Sequence, residues 1–294
     1  MHPGLGPGAE AEALYVRQLN LRERLQLHSG EFVIWDVGLG AAANALTVLR
    51  TTRDLGCSIC LVSFDNTAEP LAFALDNAAS LGYFHGYEAP AAQLLKTHEV
   101  KFTDGAHEVN WQFILGDFPA WLKSRAGVSP AQRTLQREQK TTETASLSRG
   151  ADRRDACPAL SAPHAILFDA FSPAKNPAMW TLPLFTYLFR LLDPRRPCAL
   201  TTYSRSTLFR VTLLLAGFFV GRGHATGAKE ETTVAANTLD WIGEPLDRHW
   251  LERAKRSHSA EPLGGPVYRQ APLSPETWER LRQHPQFIQA CASG

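Results

Sequence analysis

Four aspartates stand where apolar runs stop: Asp36 after FVIW, Asp65 after SICLVSF, Asp117 after WQFILG and Asp169 after HAILF. Each alone suits a turn or a helix cap. In an open parallel sheet, however, ligands bind beyond the carboxyl ends of the strands, and four acids at such ends are better explained as a set by a ligand. The first is followed by VGLGAAAN, in which Gly38 and Gly40 let backbone approach a ligand and Asn44 opens a helix. Asp65 falls 25 positions beyond Gly40, near the spacing at which an acid takes ribose hydroxyls.

A dinucleotide pyrophosphate calls for a third glycine in this loop, and Ala41, Ala42 and Ala43 stand there instead. A ligand without phosphates, with an adenosine and a cationic centre, fits better. S-adenosyl-L-methionine answers that description: ribose hydroxyls for Asp65, an adenine amino group near Asp117, and an ammonium and a sulfonium for the acidic strand ends.

The stretch LFDAFSPAKNPAMW, residues 167–180, carries a second kind of chemistry. Its carboxylate is followed by a loop fenced by Pro173 and Pro177. Phe171 and Trp180 are suited to stacking on an extruded base, Lys175 to a phosphate, and Asn176 to a base edge or backbone. Each has a plain alternative: Trp180 can anchor the next helix in the core, and Lys175 can be merely solvated. Tyr203, closing CALTTY, either lines the same pocket or caps a strand.

The elements needed to position these residues are legible as an alternation. A helical region spans about 10–28 and stops at Gly30; a strand leads to Asp36; a helix runs to Gly56; a second strand ends at Asp65; and a helix runs from Pro70 through LAFALDNAASLGYF. Two alternating strands flank Asp104-Gly105. Order resumes at PHAILFDA, followed by a helix around LPLFTYLFRLL, the strand CALTTY, a helix STLFRVTLLLAG, and a closing antiparallel pair from FFVGRG and ETTVAAN. This predicts an α/β, Rossmann-like domain over 1–240 with a seven-stranded, mostly parallel sheet and an antiparallel last strand, once the first arm of the hairpin is set aside. A polar insertion occupies about 125–156. Residues 241–294 read as a Pro-rich, helical C-terminal extension, with a late helix capped by Ser274 and started by Pro275.

The 294 residues are 44% hydrophobic, enough for a substantial core, and the net charge of +1 neither requires nor excludes nucleic acid. Basic clusters are present at Arg17, Arg22 and Arg24, at Arg195 and Arg196, at Arg205 and Arg210, and in RHWLERAKR. Each reads equally as a solvated face or as an RNA footprint. Five scattered cysteines imply reduced thiols. Cys57 and Cys60 form a CxxC, but in a strand positions three apart face opposite sides, so no metal site is expected. With no leader-like start and no apolar run of about eighteen or more residues, the chain is expected to be cytoplasmic, without a membrane partner.

WDVGLGAAAN, LGDFPAWL, FDAFSPAKNPAMWT and GAKEETTVAAN resemble the methyltransferase half of the bacterial bifunctional MnmC family, which also exists as a standalone form, MnmD. The similarity runs through most of residues 10–240, and the DAFSPAKNP loop is its most specific part. The resemblance implies a class I methyltransferase using S-adenosyl-L-methionine. Its reaction would convert 5-aminomethyl-2-thiouridine at the tRNA wobble position to the 5-methylaminomethyl form, with the anticodon loop as partner. It implies cofactor binding by Asp36, Gly38, Gly40, Asn44, Asp65, Asp117 and Phe118, and a catalytic Asp169. No second glycine fingerprint for FAD is present, so a separate FAD-dependent or upstream tRNA-modifying enzyme would supply the aminomethyl group. Where the family often has a further glycine this chain has Ala42, which would narrow the cofactor loop by a methyl. The other readings are a methyl- or aminopropyl-transferase on a small amine, and a silent RNA-binding protein with a degenerate loop.

Overall fold

The computed structural model describes residues 7–126, 161–225 and 231–289. The polar insertion falls almost wholly outside them. Eight strands form one sheet: β1 Glu31–Val37, β2 Ser58–Asp65, β3 Glu99–Asp104, β4 His107–Leu115, β5 Ala165–Phe168, β6 Ala199–Thr202, β7 Phe219–Gly223 and β8 Thr232–Ala236. Their order is β3-β4-β2-β1-β5-β6-β8-β7. β4, β2, β1, β5 and β6 are mutually parallel, and β8 lies antiparallel between β6 and β7. The α/β class and the antiparallel last strand are as expected. The count is eight rather than seven, because the hairpin's first arm, β3, pairs along its whole length with β4.

Apolar residues on both faces make the central strands near-continuous hydrophobic runs, as strands covered by helices on both sides must be. Cys57 and Cys60 illustrate the alternation: Cys57 joins the core on one face of the sheet and Cys60 the core on the other. On the first of these faces lie the helices Ala43–Thr52 and Glu88–Thr97 and the N-terminal segment. Opposite them lie the helices Leu182–Leu191 and Thr207–Ala216 and much of the C-terminal region.

The expected helix over 10–28 is broken. An α turn at Pro7–Ala11 runs into a six-residue π-helix, Glu12–Arg17, and Asn20 in a left-handed conformation separates both from the helix Leu21–Leu27. The helix expected from Pro70 divides at Asn77 into Glu69–Asp76 and Ala78–Leu81. The helix Glu88–Thr97 had no counterpart in the sequence reading.

Residues 241–289 complete the core. Trp250, Leu251, Leu281 and Phe287 are buried in the cluster beneath β7. Gln286 clamps the tail to the sheet: it accepts from the Val220 amide (2.8 Å) and donates to the carbonyls of Val220 and Leu246 (both 2.8 Å). Ser274 caps the helix Pro275–Arg282 as expected, accepting from the Thr277 amide. Among the described residues no helix is long and apolar enough to cross a membrane.

Candidate active site

β1, β2 and β5 end side by side, and their register brings three of the four aspartates to one edge. Asp36 sits on β1 opposite Ser63 of β2 and Leu167 of β5, and Asp169 follows β5 directly, its amide donating to the Val37 carbonyl (2.9 Å). Asp65 ends β2 opposite Leu115, the last residue of β4, and the Gly116 amide donates to its carbonyl (2.8 Å), so that Asp117 follows two residues past the end of the neighbouring strand. Asp36 is fully buried, whereas Asp117 and Asp169 are exposed.

The glycine loop folds back onto these acids. Gly38, Gly40 and Ala42 all have left-handed backbones (φ 97°, 51° and 63°), a curl that only glycine adopts without strain. At Gly38 a Cβ would stand 2.6 Å from the Asp169 carbonyl oxygen, so β1 and β5 approach this closely only through glycine. The Gly40 amide donates to Asp65 Oδ2 (2.9 Å), and Asp65 Oδ1 accepts from the Asn66 amide (2.8 Å). Asn44, in the first turn of the helix Ala43–Thr52, donates through Nδ2 to Asp169 Oδ2 (2.8 Å). Tyr83, which the sequence did not single out, donates to the Ala41 carbonyl (2.7 Å) and pins the loop from outside. Asp36, Gly38, Gly40, Asn44, Asp65 and Asp169 are thereby assembled into one constellation.

Ala42 occupies the N-cap of that helix and is fully buried. Its methyl lies in the core, so it does not narrow the loop. The physical reason for a glycine there is the left-handed backbone, not space for a ligand.

Asp36 is held by a chain of donors. Trp111 Nε1 donates to Ser63 Oγ (3.0 Å), and Ser63 donates to Asp36 Oδ2 (2.9 Å). Burial, countered in part by Ser63 and reinforced by the charges of Asp169 and Asp65, raises its pKa to about 7. Asp36 Oδ1 is buried without a hydrogen-bond partner. Tyr15, on the π-helix, is fully buried and edge-on to Tyr203 with ring centroids 6.0 Å apart. Burial, with Asp169, Tyr203 and Asp36 nearby, pushes the Tyr15 phenol well up, and burial with Asp169 and Glu10 does the same for Tyr203. The sequence left Tyr203 either lining the pocket or capping a strand, and it missed Tyr15. A π-helix has no sequence signature, and Tyr15 lies within what reads as an ordinary helical stretch.

The loop after Asp169 presents Phe171, 74% exposed, and an exposed Lys175, with Asn176 half-buried. The loop turns tightly, the amides of Lys175 and Asn176 both donating to the Ser172 carbonyl (2.9 Å each). Trp180 corrects the stacking expectation. It is 2% exposed, packed edge-on to Phe168 and Phe209, and its indole N–H donates to the Phe171 carbonyl (2.7 Å). It therefore holds the loop from the core. Phe118 is likewise a core residue, its ring against Phe64 (4.9 Å) and Trp121 (6.1 Å).

Two arginines of the basic clusters are structural. Arg24 is buried, with its guanidinium 4.0 Å over the Trp241 ring and a bond to the His164 carbonyl (2.6 Å). Arg210 is buried against Glu231, Thr233 and the Thr232 carbonyl. Arg22 pairs with Asp54 (2.6 Å) on the surface.

The fold has solved counterparts. MNMC2 from Aquifex aeolicus superposes with a TM-score of 0.57 at 22% identity, covering 86% of this chain and 68% of that one. A family model described as S-adenosyl-L-methionine-dependent methyltransferase matches residues 135–238. The tRNA 5-methylaminomethyl-2-thiouridine biosynthesis bifunctional protein MnmC of Chromobacterium violaceum is 27% identical over 269 residues, 87% of this chain and 35% of that protein. The protein of the same name from Ectopseudomonas mendocina is 42% identical over 85 residues, 29% of this chain and 12% of that protein. The chain thus spans about a third or less of the length of these relatives. In family-model match and in similarity along most of the chain, it is similar to the methyltransferase part of the MnmC proteins, and it shares the fold of MNMC2.

Proposed function

We propose that the chain is an S-adenosyl-L-methionine-dependent N-methyltransferase. It would act in the cytoplasm on the wobble uridine of tRNA and convert 5-aminomethyl-2-thiouridine to its 5-methylaminomethyl form. The observation that carries this reading is Asp169: an exposed carboxylate at the carboxyl edge, oriented by Asn44 (2.8 Å) and followed by a loop that presents Phe171 and Lys175.

The residues fit the cofactor. Asp65 keeps acceptor capacity for ribose hydroxyls, since each of its oxygens has two lone-pair directions and the backbone amides use only part of them. Asp117 stands beside it for the adenine amino group, and Asp36 offers a buried, unfilled carboxylate oxygen. The cofactor supplies an electrophilic methyl on a positively charged sulfur.

The chain's own residues act on the acceptor. An alkylammonium like that of lysine titrates near 10.4, so it must lose a proton before its nitrogen can attack. Asp169 orients the amine and accepts the proton that leaves nitrogen as the new N–C bond forms. Phe171 gives an extruded base a face to stack on, and Lys175 a cation for the adjacent phosphate. Attack must be in line with the breaking C–S bond, so positioning supplies much of the acceleration. An FAD-dependent or upstream tRNA-modifying activity provides the aminomethyl group.

The test is single-turnover methyl transfer to tRNA that carries the aminomethyl group, with Asp169→Asn alongside. The variant keeps an acceptor for Asn44 but no base. Turnover should fall about a hundredfold or more with cofactor affinity retained. Unchanged turnover would remove the assigned role of Asp169, and no transfer by the unaltered protein would remove the substrate.

A further inference from the structure

The helix Leu182–Leu191 has two faces. Leu184, Phe185, Leu188 and Leu191 are buried in the core. Leu182, Pro183, Thr186, Tyr187 and Arg190, which share the opposite face at helical spacing, line a groove of about 350 Å³ together with Gly264. The segment that carries Gly264 is tied to the start of the helix: the Leu182 amide donates to the Leu263 carbonyl (2.9 Å), and Thr181 bridges to Leu263.

The groove begins beside the acceptor loop. Leu182 stands two positions after Trp180, whose indole N–H holds the Phe171 carbonyl (2.7 Å). From Leu182 the helix carries the groove about 12 Å to Arg190, at 1.5 Å of rise per residue.

The lining narrows the occupant. Tyr187 is half-buried, packed on the core by one side of its ring, and no other ring among the described residues stacks against it. Arg190 is exposed and pairs with no carboxylate among the described residues. Thr186 is already engaged, its hydroxyl donating to the Leu182 carbonyl (2.8 Å). An aromatic face followed one turn later by an unpaired guanidinium suits a base on the first and a phosphate on the second. A Cβ at Gly264 would meet nothing within 4 Å, so this wall is open space and not a packed seam. A folded protein is poorly served here, because a standard interface engages about 20–30 residues a side and the groove offers six. Its volume lies near the lower end of the range of about 300–1,000 Å³ that holds a small ligand, which is the scale of one nucleotide.

We propose that this groove seats the nucleotide next to the wobble position of the anticodon loop, its base against Tyr187 and its phosphate at Arg190, while the wobble base is extruded toward Phe171 and Asp169. The seat rests on the tRNA reading above and adds to it a second RNA contact, carried by a helix instead of a loop.

The experiment is binding of an anticodon stem-loop RNA to the full chain, followed by fluorescence anisotropy over a series of salt concentrations, with three variants outside the cofactor and acceptor residues. Tyr187→Leu keeps an apolar side chain against the core and removes the stacking face. Arg190→Gln removes the cation. Gly264→Leu fills the groove from a position that has room for a side chain. Each should weaken RNA binding about tenfold and leave S-adenosylhomocysteine affinity within about twofold. Arg190→Gln should also flatten the slope of log affinity against log salt by about 0.7, the share of one phosphate on a single strand. Thermal melts check the fold of each variant. RNA affinity and salt slope unchanged in all three would overturn the groove while leaving the tRNA reading intact. Variants that keep RNA affinity but dissolve a dimer in sedimentation would overturn it too, since the face would then belong to a second copy. If the unaltered protein bound no RNA, the tRNA reading itself would fail and the groove with it.

Discussion

Asp36 is the residue whose chemistry depends most on its surroundings. Its pKa is raised from 3.8 to about 7, mainly by burial, so the folded state holds the proton more tightly than the unfolded chain does. Stability is therefore undiminished below about pH 4, falls as pH rises between the two values, and stays reduced above about 7. Asp36→Asn, which keeps an oxygen for Ser63, should stabilise the protein by more than about 1 kcal/mol at pH 8 and by little near pH 4. Denaturant melts of both proteins at pH 4, 6 and 8 measure this; a gain equal at all three would show that the charge is not the source. The same variant should bind the cofactor less well, the usual consequence of removing a destabilised functional group.

At the scale of elements, the loop from Gly38 to Ala42 makes a sharper prediction than its sequence did. Replacing Ala42 by glycine relieves a left-handed alanine, worth about 1 kcal/mol, but gives up a fully buried methyl worth about 0.8 kcal/mol. The two nearly cancel. Ala42→Gly should shift stability by less than about 1 kcal/mol and leave cofactor affinity unchanged, and a large affinity gain would mean that the methyl does reach the ligand. The acids and glycines of this edge were legible because strand ends and glycine spacing are local signals. The N-terminal break was not, because the interruption at Asn20 depends on packing over β6 and on a π turn that periodicity cannot register. Trp180 and Phe118 were misplaced for a related reason: an aromatic beside a functional loop reads alike whether it faces a ligand or the core. Arg24 and Arg210 show the same limit for charge, since only tertiary context buries a guanidinium against Trp241 or Glu231.

Across the whole molecule, the alternation of strands and helices was enough for the class and for the antiparallel last strand. The eighth strand was missed because a hairpin arm with half-exposed alternation looks the same whether it joins the sheet or projects from it. The extension beyond residue 240 looked peripheral from its proline and charge content, yet it supplies much of the core beneath β7. Gln286 carries a disproportionate share of that attachment through three bonds to buried backbone. Gln286→Ala strands those groups and should cost about 2 kcal/mol or more, read as a lower denaturation midpoint with an unchanged slope. A shift below about 0.5 kcal/mol would mean that the tail frays independently of the sheet.

The same attachment alters how the sheet meets the outside. The residues leading into the tail lie along the free side of β7: the Leu246 amide donates to Val220, the Arg222 amide donates to Glu244, and Gly221 bridges to Pro245. That rim is occupied by the chain's own backbone, with a proline between its two bonds that has no N–H to offer. At the far rim, β3 alternates exposed Glu99, Lys101 and Thr103 with half-buried Val100 and Phe102. Charges on an edge strand disfavour strand-to-strand addition. One rim is closed by covalent continuity and the other by charge, so neighbouring copies find no ready template for extending the sheet.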